Sequence, residues 1–353
     1  MSPFVPASDA STDALPIVDV SALVDAQAEP AARDQVAAAI HRACCEHGFF
    51  YIVGHGIARA LQQALFDVSR DFFALPLERK MAIHMRTGGR AWRGYFPVGE
   101  ELTSGRPDLK EGLYLGSELA PEHPAVRAAI PLHGANLFPV ELPALREVVL
   151  RYIDALTRLG HQLMAGISQS LGLPPSYFDA HYTRDPTVLF RVFHYPAQPA
   201  TDVESWGVGE HTDYGVLTLL KQDDCGGLQV KRGSQWIEAP PIEDTFVCNI
   251  GDMLERMTRG LYRSTPHRVR NRSGHSRLSF PFFFDPGWDS QVLPLPLSGL
   301  DEKGVARTGR DRWDGQDIHA FAGTYGEYLL GKVGKVFPNL RSQHGLAPHS
   351  PDR

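Results

Sequence analysis

Apolar residues along this chain follow two rhythms. In some stretches they recur at three- and four-residue intervals, the spacing of one helix face. Ala31 to His47 places Val36, Ile40, Ala43 and Cys44 on such a face, and Gly48 closes it. Arg59 to Ala74 predicts a second helix that stops before Pro76. The clearest stripe runs from Leu142 to Leu171, through Leu145, Val149, Tyr152, Leu156, Leu159, Leu163 and Ile167. Gly315 to Val336, with Phe321, Tyr325, Tyr328 and Leu329, predicts a last helix.

Elsewhere the apolar residues come in short runs. Leu15 to Val20 and Phe49 to Val53 predict strands. Between Val188 and Asp285, seven short β-rich segments alternate with Gly, Asp and Asn turns: 188–195, 216–221, 228–231, 236–239, 245–250, 267–270 and 277–284. That spacing predicts a sandwich or jelly roll. Residues 86–116 are rich in glycine and poor in periodicity, which predicts a functional loop. The expected fold is mixed α and β, a jelly-roll core braced by N-terminal and C-terminal helices. Its expected segments are a tail at 1–14, a helical and β region at 15–180 that contains the substrate loop, the jelly-roll core at 181–290, and a C-terminal helical region and tail at 291–353. All are expected to form one compact unit.

Composition narrows the partners. The 353 residues are 43% hydrophobic and 22% charged, an ordinary soluble mixture, with a net charge of −6 that disfavours nucleic acid. No apolar run approaches the ~20 residues that span a bilayer. Met1 to Ala14 lacks the basic and apolar regions of a signal peptide, so a cytoplasmic monomer is expected. The four cysteines, Cys44, Cys45, Cys225 and Cys248, form no CxxC pair and are expected to be reduced thiols.

The chemistry concentrates at His211, Asp213 and His267. Two imidazoles and a carboxylate make a three-ligand face on a metal and leave positions open, as in non-heme Fe(II) oxygenases. On a strand, residues two apart point the same way, so His211 and Asp213 can reach one ion from a short extended segment. His267 must come from another strand. A lone histidine here proves little, since the chain has 15. Arg277 and Ser279 add weight. They alternate with Leu278 and Phe280, so with Pro281 and Phe283 they share one face, and an arginine fork there suits a carboxylate. His267 and Arg277 are expected on adjacent strands joined by the turn at Asn271 to Gly274. A zinc hydrolase could use two histidines and a carboxylate, but it would leave Arg277 and Ser279 unexplained, and the chain has no His-Glu-x-x-His.

The segments Leu15-Pro-Ile-Val-Asp, His47-Gly-Phe-Phe, His211-Thr-Asp-Tyr-Gly, Gly226-Gly-Leu-Gln-Val, Asn249-Ile-Gly-Asp, Ser264-Thr-Pro-His-Arg-Val and Arg277-Leu-Ser together resemble the isopenicillin N synthase-like branch of the Fe(II)/2-oxoglutarate-dependent oxygenases. The resemblance implies a double-stranded β-helix with iron at one mouth, bound by His211, Asp213 and His267. It implies that Arg277 and Ser279 hold the far carboxylate of 2-oxoglutarate and that Tyr195 hydrogen-bonds this co-substrate. Many relatives carry Asn where this chain has Phe193. The inner carboxylate then needs another donor, and Arg191, two residues away on the same strand face, is a candidate; an ion pair that only braces the fold is the equal alternative.

The implied reaction consumes 2-oxoglutarate and O2 at Fe(II), releases succinate and CO2, and hydroxylates a small-molecule C–H bond, with ascorbate as reductant in vitro. Neutral imidazoles are needed for metal binding, so activity should fall in acid. An oxidase that needs no oxoacid remains open. So does an ethylene-forming type, suggested by Gly99-Glu-Glu-Leu-Thr-Ser-Gly-Arg-Pro-Asp. A non-catalytic module is disfavoured because all three ligands are kept. For the substrate, the resemblance points to Phe283, Tyr214, Tyr95, Glu101 and Thr103, with Phe96, Tyr114 and Trp206 in the same regions. His55, His194 and Asp252 are read as structural.

Overall fold

A computed structural model describes residues 14–103, 105–197, 206–297, 314–315 and 317–337. Most of the expected N-terminal tail and all of the chain from 338 onward lie outside the described residues. The strands are β1 (Ile17–Asp19), β2 (Phe49–Val53), β3 (Gly94–Phe96), β4 (Leu102–Thr103), β5 (Arg106–Pro107), β6 (Glu111–Gly116), β7 (Thr187–Tyr195), β8 (Val208–His211), β9 (Leu217–Gln222), β10 (Leu228–Arg232), β11 (Gln235–Glu238), β12 (Phe246–Ile250), β13 (His267–Val269) and β14 (Arg277–Asp285). The helices are α1 (Ser21–Val24), α2 (Pro30–Glu46), α3 (Arg59–Ala74), α4 (Leu77–Met81), α5 (Pro124–Arg127), α6 (Pro143–Ser170), α7 (Asp252–Met257) and α8 (Tyr325–Val336).

Eight strands make one sheet in the order β1-β2-β12-β9-β14-β7-β6-β3, antiparallel except for the β1–β2 pair. Four make a second antiparallel sheet, β11-β10-β13-β8. The two face each other across a cavity that both line, which is the jelly roll. Strand β14 shows why the layers stack. Phe280, Phe282 and Phe284 turn outward and are fully buried, each worth about 1.5–3 kcal/mol of apolar burial. Phe280 meets Phe66 of α3, and Phe284 meets His161 of α6. Gly160 lets α6 come this close, since a Cβ there would lie 2.5 Å from the Phe284 ring. The alternate residues, Arg277, Ser279, Pro281 and Phe283, line the cavity.

Three expectations about the strands are corrected. First, His267 and Arg277 are not on adjacent strands. β13 lies in the small sheet and β14 at the centre of the large one, so the connection at 270–276 crosses between sheets. Second, residues 86–116 are not one irregular loop. β6 is buried along its whole length between β7 and β3, and its two glycines hide it from pattern reading. Third, β8 ends at His211, so Asp213 sits on the irregular stretch beyond it rather than on the strand. The expected last helix also shortens to 325–336. The large sheet runs through the expected boundary at 180, because β1, β2, β3 and β6 join it. All four cysteines are free, and no helix among the described residues is long and apolar enough to cross a membrane.

Candidate active site

His211 and His267 are register partners on β8 and β13, with ring centroids 4.2 Å apart. Asp213 Oδ1 lies 3.9 Å from His211 Nε2 and 3.7 Å from His267 Nε2. One ligand atom from each falls within 4.8 Å of the others. The surroundings aim these atoms. Nδ1 of His211 is 2.8 Å from the Gly209 carbonyl, and Nδ1 of His267 is 3.2 Å from the Thr265 carbonyl. Carbonyls only accept, so each Nδ1 carries the proton and each Nε2 lone pair is free for a metal. Asp213 Oδ2 accepts from Thr218 Oγ1 (2.6 Å) and Asn249 Nδ2 (2.7 Å), which leaves Oδ1 toward the same point.

Charge suits the role. Burial, helped by His211 and opposed by Asp213, pushes the His267 imidazole down to about 4. Burial alone would raise Asp213, but His267, His211 and the bonds from Asn249 and Thr218 outweigh it and hold the carboxyl below its usual range. Near neutral pH the site presents a neutral His267 and an ionised carboxylate, the forms that bind a divalent metal.

In the wall of the same cavity, Arg277 is fully buried. Its Nε donates to Gly226 O (2.6 Å) and its Nη2 to Gln222 Oε1 (3.2 Å). Among the described residues Nη1 has no hydrogen-bond partner. A buried guanidinium with an open donor is costly unless an anion completes it. Ser279 Oγ is 3.5 Å from Tyr195 Oη, and both side chains line the cavity beside Arg277. This donor set fits a carboxylate-bearing co-substrate beside the metal. Phe193 pairs with Ser279 across β7 and β14 and lines the cavity, its ring under the Lys110 ammonium at 4.9 Å. The Arg191 guanidinium also lines the cavity. It lies 3.4 Å from the centre of the Tyr114 ring and reaches the carbonyls of Leu115 (3.4 Å) and Phe190 (3.3 Å).

The cavity has a volume of about 580 Å³. Of the expected substrate residues, Phe283, Tyr214, Glu101 and Thr103 line it, as does Tyr114. Tyr95 does not: it faces away and donates to Glu111 Oε2 at 2.5 Å, because strand alternation sends it to the opposite side of the sheet. Phe96 packs behind the wall against Tyr114, Phe193 and Phe337. Trp206 is stacked on Arg268 away from the site. His194 bonds Glu111 and His55 bonds Asp244, both structural contacts.

Sequence reading missed Lys110, which is buried in the cavity wall. Its Nζ lies 2.9 Å from Glu101 Oε2 and also donates to Asp108, while Tyr114 donates to Glu101 Oε1 and Thr103 donates to Asp108. Burial pushes the Asp108 carboxyl up, Lys110 pulls it down, and Glu101 raises it again. It also missed Asp285 and the cavity face of α8. No periodicity links residues so far apart in the chain.

A jelly roll that converges two imidazoles and a carboxylate beside an open buried guanidinium has the framework of a non-heme iron oxygenase. Comparison with known proteins agrees. Residues 15–141 match the family described as non-haem dioxygenase in morphine synthesis N-terminal, and residues 186–286 match the 2OG-Fe(II) oxygenase superfamily. A probable iron/ascorbate oxidoreductase of Dictyostelium discoideum is 49% identical over 93% of this chain and 96% of its own length. A 1-aminocyclopropane-1-carboxylate oxidase of the same organism is 41% identical, covering 92% and 95%. A homoarginine-6-hydroxylase of Oryza sativa subsp. japonica is 38% identical, covering 91% and 96%. The crystal structure of a full-length Neurospora crassa protein in complex with alpha-KG superimposes with a TM-score of 0.76 at 27% identity, covering 92% of this chain and 98% of that one.

The chain belongs to the 2-oxoglutarate- and Fe(II)-dependent oxygenases. It is an iron dioxygenase that oxidises a small-molecule substrate, with Fe(II) and 2-oxoglutarate as cofactor and co-substrate and ascorbate as reductant.

Proposed function

We propose that this dioxygenase hydroxylates an amino acid and holds the cationic end of that substrate at Glu101. One observation carries the reading. Glu101, in the cavity wall, shares the ammonium of Lys110 with Asp108, so among these three groups carboxylates outnumber the ammonium. A buried excess charge is stabilised by a ligand of opposite sign. Two relatives support this choice, since the substrates in their names, 1-aminocyclopropane-1-carboxylate and homoarginine, are amino acids.

In this reading His211, Asp213 and His267 hold Fe(II). Arg277 and Ser279, with Tyr195, hold the far carboxylate of 2-oxoglutarate. Arg191 supplies the donor to its inner carboxylate that Phe193 cannot, because a phenyl ring has no hydrogen to donate. Bound Fe(II), with 2-oxoglutarate and O2, supplies the C–H oxidation and releases succinate and CO2. The protein's part is to orient the substrate between Glu101 and the walls formed by Thr103, Tyr214 and Phe283, and to keep water out. We also infer a cytoplasmic monomer, on composition alone.

The test is anaerobic binding of Fe(II) and 2-oxoglutarate, followed by their charge-transfer absorption. A library of amino acids is then added, and hits are assayed for succinate and hydroxylated product. Cationic amino acids should perturb the band and stimulate succinate release. A response confined to neutral or acidic ligands would remove Glu101 from the role. Product formation undiminished without 2-oxoglutarate would select an oxidase instead.

A further inference from the structure

Helix α8 supplies Tyr325, Leu329, Lys332, Val333 and Val336 to the cavity wall, although Tyr325 is 112 positions from Asp213 (325 − 213). Two carboxylates tie it down. Tyr325 Oη donates to Asp285 Oδ2 (2.5 Å), and Tyr328 Oη donates to Asp252 Oδ2 (2.9 Å), with Lys332 Nζ 3.9 Å from the same oxygen. Both carboxylates are buried, at 2% and 0% exposure.

Each carboxylate also grips the segment that carries Asp213. Asp285 Oδ1 accepts from Val216 N (3.0 Å). Gly215 packs against it so closely that a Cβ there would lie 1.4 Å from Oδ1. The backbone N–H of Asp252 donates to the carbonyl of Asp213 itself (2.8 Å). Its Oδ1 accepts from Ser264 Oγ (2.8 Å), three residues before His267 (267 − 264). Each carboxylate therefore holds α8 with one oxygen and the ligand-bearing framework with its other groups. A shift of either partner strains both bonds.

We propose that Asp285 and Asp252 are positioning residues that couple the seating of α8 over the cavity to the placement of Asp213 and His267. The inference rests on the assignment of those two residues as metal ligands. Ordering of the ligand loop stiffens the helix that closes the pocket, and a loosened helix relaxes the ligands. The start of α8 has independent anchors. Thr324 and Glu327 form a capping box, and Tyr325 N and Gly326 N donate to Ser290 O and Trp288 O. Removing the Tyr325 hydroxyl therefore cuts one of the two ties and leaves the start of the helix in place.

The test compares the wild type with Tyr325→Phe and Tyr325→Phe/Tyr328→Phe, each with its fold checked by circular dichroism. Hydrogen exchange of the α8 amides is followed without metal and with Co(II) as a redox-silent probe, whose affinity is read from its visible absorption. Co(II) should slow α8 exchange severalfold in the wild type. In the double variant that slowing should vanish, and Co(II) affinity should drop severalfold. Asp285→Asn, whose amide can serve both Val216 and Tyr325, should keep the response, and Asp285→Ala should weaken it, as Tyr325→Phe does. Exchange in α8 that ignores Co(II) in the wild type, or responds equally in the double variant, overturns the coupling. A wild type that takes up no Co(II) overturns the ligand assignment instead.

Discussion

Lys110 and Glu111 are chain neighbours that serve two different charge clusters, one on each side of the large sheet. Glu111 is fully partnered. Its Oε2 accepts from Lys80 (2.8 Å) and Tyr95 (2.5 Å), and its Oε1 bonds His194 Nδ1 (2.8 Å). Burial alone would raise its pKa, but the bonds from His194, Lys80 and Tyr95 bring it down to about 2. Folding completes this cluster. Lys110 faces the cavity, Glu101 in that wall and Asp108 beside it compete for its ammonium, and Arg277 in the same cavity keeps an open donor. Folding leaves this region short of partners. A balanced buried network is structure, while an unbalanced one that lines an enclosure is a site waiting for ligands of matching charge.

The sharpest loss of ligand binding should come from Arg277→Ala. Loss of a buried charge-assisted pair costs about 3 kcal/mol, so 2-oxoglutarate affinity should fall on the order of 100-fold. Titration of the charge-transfer band checks this, and an unchanged affinity would erase the distinction between the two regions. On the other side of the sheet, Lys80→Met strands a buried carboxylate and should cost about 3–5 kcal/mol of stability by denaturant melt. Substrate KM at a permissive temperature should stay put, and a shifted KM would mean that the Glu111 cluster also serves the site.

Glu101→Gln should do the reverse. It keeps the shape, removes the excess charge, and should raise KM for a cationic substrate roughly 10-fold, the size of one hydrogen bond to a charged group, with little change in Tm. Another effect is in acid. The depressed Glu111 carboxyl contributes stability that is complete above its ordinary pKa of 4.5 and is lost as pH falls toward about 2. The stability gap between wild type and Glu111→Gln should therefore shrink over that window, measured by melts at stepped pH. A constant gap would show that the carboxylate charge is not what the cluster stabilises.

Much of the site was legible because it obeys local rules. The 2.0-residue period of β14 sorts Arg277, Ser279 and Phe283 to the cavity and three phenylalanines to the helices, and any reader of the chain can apply it. The same period was not enough for Tyr95, because alternation says which residues share a face but not which face meets the cavity. Donor types at His211, Asp213 and His267 likewise announced a metal without stating where they meet.

The sequence by itself determined the helical stripes, most strands of the core and the chemical character of the ligands, since each depends on residues within a turn or a strand. Only the tertiary structure decided that β13 and β14 belong to opposite sheets, that Lys110 divides itself between Glu101 and Asp108, and that α8 shares two carboxylates with the Asp213 loop. Those contacts join segments far apart in the chain. They form through packing and burial, which no local spacing encodes.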